Sequence, residues 1–298
     1  MQKTKIEFAD YSYNPIVGCS KVSDGCTHCF AEAMVNRFPH FTGIEMRGNE
    51  NAAYPEPIGW DGKAYFFPER LEEPFHLRQG KDRPHRISVC SMSDLFHESL
   101  SNEQIAAVFG VMAATPKHQY IVLTKRMKRA SDWYTWISCA SKRNDLATNV
   151  FAKSEARKIT TKIPLCRGKY EWPLQNVIIC ASVENQQTAN ERIPLLLQIP
   201  ARWRGVSVEP MLSSIELQRN RGWLSPFQET DAMLRRTPRL DLIICGSETG
   251  PGKRPFKDEW ALDLRDQCKA SGTPFFFKKD GNGNGALCGI EYHEWIGE

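Results

Sequence analysis

The sequence lacks any run of 18 apolar residues, and this absence excludes a transmembrane helix of ordinary length. Its first eight residues also lack the apolar segment of a signal peptide, so we expect a cytoplasmic protein with no membrane partner. A large excess of charge of one sign is absent as well. The net charge of +4 is compatible with a nucleic-acid partner but does not indicate one. Hydrophobic residues make up 41% of the chain, which suffices for a sizeable core and argues against disorder.

Disulfide bonds are not expected, although the chain contains ten cysteines. Thiols in a cytosolic protein stay reduced, because the glutathione and thioredoxin systems keep them so. The cysteines are therefore candidates for metal ligands, reactive thiols or small core residues.

Short runs rich in Val and Ile alternate with helical patterns along the chain. Such runs are typical of strands buried on both faces, and the alternation predicts βαβ units with a parallel sheet. We therefore expect an α/β protein whose residues 1–298 form a single domain, a full or partial TIM-type (β/α) barrel with insertions. The predicted strands lie near residues 16–18, 86–90, 119–123, 176–180, 205–208, 241–245 and 273–277, and the predicted helices near 30–38, 102–114 (capped by Ser101 or Asn102), 127–140, 188–198 and 260–271.

Four of the predicted strands end in the same way, with a small polar residue followed by an acid. The acids are Asp94, Glu184, Glu209 and Glu248. In a barrel these positions lie at the carboxyl ends of the strands, where active sites are built. Each acid alone is equally well explained as a cap of the following helix, but four at one rim favour a site.

Two basic segments interrupt the alternation. Residues 141–171 contain eight basic and three acidic side chains, and residues 219–239 contain five arginines. Such segments could follow a phosphate backbone, although a solvated face is the more frequent explanation of a charge run. Residues 40–85 are rich in Pro, Gly and aromatic residues, which predicts a long ordered loop region.

The most specific pattern is a group of three cysteines within eleven residues, Cys19, Cys26 and Cys29. It follows the first predicted strand and opens the first predicted helix, so backbone N–H groups lie near the thiols. Zinc normally takes four protein ligands, and no fourth ligand is evident nearby. Three thiolates on a four-iron cluster leave one iron open, so an iron–sulfur cluster is favoured over a structural zinc ion or simple core cysteines.

A three-cysteine loop after the first strand resembles the radical S-adenosylmethionine superfamily. The spacing here is C-x6-C-x2-C, whereas C-x3-C-x2-C is usual in that superfamily. The chain is also similar over most of its length to a phage-associated family of uncharacterised function, described as radical-type. The blocks that carry this second resemblance are residues 13–26, 91–97, 123–126, 182–186, 191–197, 207–210 and 274–278.

The resemblance implies a [4Fe-4S] cluster, S-adenosylmethionine as cofactor and an external electron donor of the flavodoxin or ferredoxin type. Reduction would cleave S-adenosylmethionine to methionine and a 5′-deoxyadenosyl radical, which abstracts a hydrogen atom from substrate. The ribose hydroxyls would bind Glu184 and Asn185. The methionyl ammonium would bind Ser91, Ser93 and Asp94. The methionyl carboxylate would bind Lys125 or Arg126. Cofactor or substrate would be held at the mouth of the barrel by Glu209, Glu248 and Lys278.

Three residues are candidates for proton or hydrogen transfer, namely Cys90, His97 and Lys278. For each of them a structural explanation stands beside the catalytic one. Cysteines in strands, as at Cys90, Cys180 and Cys245, are usually small core residues, and a lone histidine is more often structural.

The hypothesis that we favour is a radical enzyme acting on a nucleobase or nucleotide in DNA modification, in a host cytoplasm if the chain is phage-encoded. A second hypothesis keeps the radical chemistry but takes a small metabolite or a peptide as substrate. A third is a zinc-stabilised nucleic-acid-binding protein without catalysis.

Overall fold

The computed structural model describes residues 1–38, 60–144, 146–163, 171–218, 222–224, 238–250 and 252–297. Two units are distinguished along the chain, 1–177 (unit 1) and 178–298 (unit 2), and each is described by itself. Much of the predicted basic segment 219–239, part of the segment 141–171 and the first part of the predicted loop region 40–85 lie outside the described residues.

The strands of unit 1 form a mostly parallel sheet and a separate two-stranded ribbon. In the sheet, β1 pairs antiparallel with β2, whereas β2 with β5 and β5 with β6 are parallel. The ribbon consists of β3 and β4, paired antiparallel. The strands are β1 (Gln2–Lys3), β2 (Tyr11–Tyr13), β3 (Ile16–Val17), β4 (Tyr65–Phe66), β5 (His85–Val89) and β6 (His118–Thr124).

The strand predicted at residues 16–18 is therefore not the first strand of the parallel sheet. That position belongs to β2, which begins five residues earlier and aligns Tyr13 with Val89 of β5. The prediction failed because β2 is short and contains no Val or Ile, and only Tyr13 is buried while Tyr11 and Ser12 are partly exposed.

Four helices within the described residues of unit 1 follow or flank the sheet strands. A Ser101–Gln104 capping box begins α2, as the sequence predicted. A Cβ atom at Gly110 of α2 would lie 2.2 Å from the carbonyl oxygen of Ala152, so glycine lets the next-but-one helix pack closely. The helices are α1 (Phe30–Arg37), α2 (Asn102–Ala114), α3 (Met127–Arg143) and α4 (Thr148–Arg157), and α4 lies in the basic segment where no helix was predicted.

Unit 2 repeats a strand–helix pattern with all its strand pairs parallel. Its first strand is buried at every residue, as expected for a parallel strand covered on both faces. A Cβ atom at Gly205 would lie 2.6 Å from the sulfur of Cys180 on the neighbouring strand, so glycine allows this register. The elements are β7 (Val177–Val183, with Val177 in unit 1), α5 (Gln186–Gln198), β8 (Trp203–Val208), β9 (Leu242–Cys245), α6 (Asp258–Ser271) and β10 (Phe275–Phe277).

The α/β class with a mostly parallel sheet, of the kind found in partial TIM-type barrels, is confirmed. That residues 1–298 form a single domain stays a prediction. No helix within the described ranges combines the length and apolar character needed to cross a bilayer.

Candidate functional site

The three clustered cysteines lie on one loop of unit 1, which we call the cysteine loop (residues 19–29). Cys19 follows β3, Cys26 ends a short 3-10 turn, and Cys29 is the residue immediately before α1. The loop begins at Gly18, where φ is +91° and a Cβ atom would lie 2.3 Å from the carbonyl oxygen of Lys63. Only glycine fits that conformation and that close approach, so the sequence is constrained to glycine before the first thiol.

The start of the cysteine loop is bound to the segment that follows β5. The backbone N–H of Gly18 donates to the carbonyl oxygen of Met92 at 3.0 Å, and the Ser93 hydroxyl donates to the carbonyl oxygen of Gly18. Ser93, which the sequence assigned to cofactor binding, thus contributes a hydrogen bond that fixes the loop.

The thiols of the cysteine loop are close enough to influence one another. Burial is the largest cause that raises the pKa of the Cys19 thiol to about 12; the charge of Arg126 acts against that rise, and negative charge on Asp94, Cys26 or Cys29 contributes to it. Burial also raises the pKa of Cys29, while the backbone N–H groups at the start of α1 act against that rise. Charge on Cys26 acts on both of the other thiols, and charge on Cys29 acts on Cys19, so the three sulfurs lie near one another on the loop.

Three half-buried thiols beside an arginine suit a negatively charged cluster. Among the residues that the structure describes, no three His, Cys, Asp or Glu side chains are arranged to hold one metal ion. In a four-iron cluster the thiolates bind different irons, so a cluster requires thiols that are spaced more widely than the ligands of a single ion. The donor set of this loop therefore fits a cluster.

Arg126, the residue before α3, reaches the cysteine loop. Its Nη2 donates to the hydroxyl of Ser20 at 2.7 Å and to the carbonyl oxygen of Ser20 at 3.0 Å. Its Nε donates to the carboxylate of Glu98 at 2.8 Å, and its Nη1 lies 3.9 Å from the carboxylate of Asp94. The side chain of Arg126 is 3% exposed, although its partner Glu98 is in contact with water.

Asp94 is buried and its carboxylate is bonded within the protein. It accepts hydrogen bonds from the Thr124 hydroxyl at 2.8 Å and from the backbone N–H groups of Phe96 at 2.9 Å and Lys125 at 3.0 Å. These bonds join the segments that follow β5 and β6. They give Asp94 a structural task, and its predicted contact with S-adenosylmethionine stays a prediction.

His97 lies between two serines. Its Nε2 is 3.0 Å from the Ser20 hydroxyl, and its Nδ1 accepts the backbone N–H of Ser99 at 3.1 Å. Burial lowers the pKa of His97, and the positive charge of Arg126 lowers it further, so the ring is neutral at pH 7. Since Nδ1 is an acceptor, the proton of the neutral ring lies on Nε2 and is donated to Ser20.

Cys90 lies deeper than the cysteine loop, directly after β5. Its backbone has φ +56°, and the residue is 3% exposed. Burial raises the pKa of its thiol well above the ordinary range, which keeps the thiol protonated. A neutral thiol is compatible with hydrogen-atom transfer and with a core residue alike.

A cavity of about 350 Å³ lies in unit 1, and its lining includes residues of the elements before and after the cysteine loop, β3 and α1. One wall is apolar and consists of Val17, Met34 and Met92, which come from β3, α1 and the segment after β5. The opposite wall is polar, and its residues were not identified from the sequence. They include Ser12, Asn14, Arg70 and Glu73.

Ser91 faces the polar wall of this cavity. Its hydroxyl donates to the side-chain oxygen of Asn14 at 3.2 Å and lies 3.4 Å from the hydroxyl of Ser12. The same oxygen of Asn14 accepts the backbone N–H of Met92 at 3.2 Å. Of the cofactor contacts that the sequence assigned to unit 1, Ser91 is therefore the one that structure places next to a cavity.

The three strand-end acids of unit 2 each pair with a cation. Glu184 is fully buried and lies 3.2 Å from Arg192, which also donates to the carbonyl oxygen of Ser182 at 2.6 Å. Glu248 accepts the backbone N–H of Arg254 at 2.8 Å and its Nε at 3.0 Å. Asn185 caps α5 by accepting the backbone N–H of Thr188, which is the structural alternative considered for it.

Glu209 and Lys278 form an ion pair at 2.8 Å, and each side chain is less than one-fifth exposed. They lie on either side of Gly246, where a Cβ atom would come 2.9 Å from the Glu209 carboxylate and 3.3 Å from Cβ of Lys278. Because Gly246 has no side chain, there is room for the Glu209–Lys278 ion pair at the end of β9.

Sequence reasoning missed Ser20, Glu98 and Thr124, which bind the residues that it did identify. The adjacency of Ser20 to Cys19 and of Glu98 to His97 is the only signal for two of them. Neither position carries a pattern that would reveal its partner more than 25 residues away.

Comparison with solved structures gives distant likenesses. A structure of spore photoproduct lyase complexed with dinucleoside spore photoproduct is 10% identical, with a TM-score of 0.45, and the match covers 94% of this chain and 78% of that one. A mutant of spore photoproduct lyase is 11% identical, with a TM-score of 0.42 and coverage of 93% and 78%. No curated protein gives a significant match to the sequence.

A family model matches residues 3–288, nearly the whole chain. Its description is "Protein of unknown function (DUF5131)". With the cysteine loop and both units inside the matched range, this protein belongs to the DUF5131 family.

Proposed function

We propose that this protein is a radical S-adenosylmethionine enzyme whose [4Fe-4S] cluster is bound by Cys19, Cys26 and Cys29. The observation that carries the proposal is the placement of three half-buried thiols on one short loop between β3 and α1. Four thiolates usually hold such a cluster, so three leave one iron for another ligand.

The chemistry that the bound group would supply is reductive cleavage. One electron from a flavodoxin- or ferredoxin-type donor would break the C5′–S bond of S-adenosylmethionine, giving methionine and a 5′-deoxyadenosyl radical that would take a hydrogen atom from substrate and leave as 5′-deoxyadenosine. The protein's own contribution is to bind, orient and exclude water. Backbone N–H groups at the start of α1 face the Cys29 thiol, and Arg126 places positive charge near Cys19.

The cavity of unit 1 that residues of β3 and α1 help to line is the space that we propose for S-adenosylmethionine. Its volume falls within the range of small-molecule sites, and its walls combine apolar side chains with a few polar groups. Met34 and Val17 come from the elements on either side of the loop, which supports a ligand that also reaches the cluster. The contacts assigned to Lys125, Glu184, Asn185, Glu209, Glu248 and Lys278 stay predictions.

We further propose a nucleobase or nucleotide as the substrate. Helix α4 supports this, because Arg157 is exposed and Lys153 partly exposed on a helix of the basic segment 141–171. Lys158 contributes less positive charge to this surface, since its ammonium group pairs at 2.7 Å with the buried carboxylate of Glu155. Basic side chains on one helix suit a phosphate backbone.

The test is anaerobic reconstitution with iron and sulfide, followed by dithionite and S-adenosylmethionine. We expect about four irons per chain, and 5′-deoxyadenosine that forms faster with single-stranded DNA than with a peptide. Cys26→Ala should abolish the product, because a cluster ligand is lost. Cys139→Ala is the matched control, since Cys139 is exposed on α3, and it should retain iron and product.

A colourless protein that retains one zinc ion through this procedure would overturn the proposal and favour the zinc-stabilised alternative. Product formation that DNA does not stimulate would leave the radical chemistry in place and remove the nucleobase substrate.

A further inference from the structure

Arg126 is placed where three segments of unit 1 meet. It lies two residues after the end of β6 and immediately before α3, so regular structure holds the chain close by on both sides. Its partners are Ser20 in the cysteine loop and Glu98 in the segment after β5. The contact with Ser20 joins residues 106 positions apart, so a single side chain fixes the loop to the end of a distant strand.

The guanidinium is occupied by protein acceptors. Nη2 makes both of the bonds to Ser20, Nε makes the bond to Glu98, and Nη1 faces Asp94 at 3.9 Å. Arginine suits this task because its fork presents several N–H donors in fixed directions, which a lysine ammonium does not. A group bonded in this way is arranged to hold the protein rather than to bind the carboxylate of a cofactor.

Ser20 receives two donors at one oxygen. Nη2 of Arg126 and Nε2 of His97 both donate to it, at 2.7 Å and 3.0 Å. A serine oxygen has two lone pairs, so its acceptor capacity is filled and its hydroxyl hydrogen points elsewhere. Both rotation of the side chain and displacement of the backbone are restrained, because the carbonyl oxygen of Ser20 is also bound.

We propose that Arg126 is a positioning residue that fixes the cysteine loop through Ser20 and supplies a buried positive charge beside the cluster. The inference rests on the proposed function for the cluster, but the restraint on the loop belongs to the metal-free chain as well. Two consequences follow, one for the mobility of the loop and one for the reduction potential of the cluster.

The first measurement is hydrogen exchange of residues 16–29 in the metal-free protein. In Arg126→Gln we expect exchange of this segment to accelerate at least tenfold, because the bonds to Ser20 are lost. Ser20→Ala should give a smaller acceleration, since it removes the side-chain bond and retains the carbonyl bond. Arg129→Gln is the matched control: Arg129 lies one turn later on α3, donates to the carbonyl oxygen of Leu100 and touches no part of the loop.

The second measurement is the midpoint potential of the reconstituted cluster. Arg126→Gln should lower it, because a positive charge that stabilises the more negative reduced state is gone. Arg126→Lys retains the charge but not the fork, so its potential should stay near that of the wild type while its loop exchange is intermediate. If Arg126 acted only through packing, the variants would change hydrogen exchange, but the midpoint potentials of Arg126→Gln and Arg126→Lys would not differ.

Unchanged exchange of residues 16–29 in both Arg126→Gln and Ser20→Ala would overturn the positioning role. If Arg126→Gln fails to fold, Ser20→Ala still tests it, because Ser20 is a partly exposed loop residue. A protein that takes up no iron but shows the expected exchange would contradict the proposed function and leave the restraint on the loop established.

Discussion

In unit 1 the charged groups near the strand ends connect distant parts of the chain, whereas in unit 2 most of them connect neighbours. Arg126 reaches Ser20 across 106 positions, while Glu184 and Arg192 are 8 positions apart and Glu248 and Arg254 are 6 apart. A local pair can form within one strand–helix unit. The contacts of Arg126 require three segments to be in place, so these charged groups of unit 1 hold a loop in position.

The clustered thiols of unit 1 and the strand and helix thiols of unit 2 differ in burial. Those of the cysteine loop are only partly buried, while Cys180, Cys245 and Cys268 of unit 2 are buried completely. Burial raises the pKa of Cys180 to about 12 and keeps it protonated. Cys180, Cys245 and Cys268 of unit 2 are therefore core residues, as Cys90 of unit 1 is, whereas the three thiols of the cysteine loop remain accessible to a ligand.

The largest expected effect is in unit 2, where Glu184→Ala would leave Arg192 buried without its carboxylate. Removing one partner of a buried ion pair costs about 3–5 kcal/mol, so we expect a loss of that size in the free energy of unfolding. The counterpart in unit 1 is Glu98→Ala. Since the side chain of Glu98 is 62% exposed, its loss should cost less than about 1 kcal/mol. Chemical denaturation monitored by circular dichroism measures both.

Glu191→Ala is the control for the first variant, because Glu191 is exposed on the same helix and should change stability by less than about 0.5 kcal/mol. Equal losses for Glu184→Ala and Glu98→Ala would break the contrast between a buried local pair and an exposed link.

A smaller effect is expected at Gly246, where a methyl group would press on the Glu209 carboxylate. Overpacking of this kind costs about 1–3 kcal/mol, and the low end applies here because a carboxylate can move. If displacement of Glu209 is the cause, Gly246→Ala should cost less in a Glu209→Ala background. Thermal unfolding of the two single variants and the double variant checks this, and additive losses would contradict it.

The last effect is absent at neutral pH and appears only in acid: it concerns the stability of unit 1 below about pH 6.5. Burial lowers the pKa of His118 from 6.5 to about 4, and the charges of Lys117 and His85 act in the same direction. His118 therefore binds a proton less tightly in the folded state than in the unfolded state. The free energy of unfolding then falls as the pH falls from about 6.5 to about 4. His118→Gln should flatten that decline in the free energy of unfolding.

Unit 2 has one histidine, His293, and it is exposed, so His293→Gln should leave the pH dependence as it is. An equal flattening in both variants would mean that acid sensitivity does not distinguish the units.

The sequence predicted the α/β class and most strands correctly, because the Val- and Ile-rich runs of β6, β7 and β9 are hydrophobic enough to reveal buried parallel strands. It predicted helix α2 together with its cap, since the Ser101 signal is local. Helix α4 was missed because its basic residues obscured the apolar face formed by Phe151, Ala152 and Ala156.

The candidate site was harder to predict than the fold, because its chemistry depends on partners that are far apart in sequence. The strand-end acids were identified as a set, yet the pattern could not show that Glu184 and Glu248 pair with arginines a few residues later. Likewise, Arg126 was assigned to a cofactor because nothing near it in sequence reveals Ser20. Patterns of single residues report what a side chain can do, and only the assembled chain shows what it touches.

The link between Arg126 and Ser20 also has a consequence in time. During synthesis the cysteine loop emerges first, and its restraint emerges 106 residues later, which at about 5–20 residues per second is a delay of about 5–20 s. Throughout that interval the cysteine loop lacks its bonds to Arg126, while its other partners, Met92, Ser93 and His97, emerge earlier. Delivery of iron and sulfide to this protein is therefore expected to follow the synthesis of β6, and a cell that loads it efficiently must keep these thiols reduced until then.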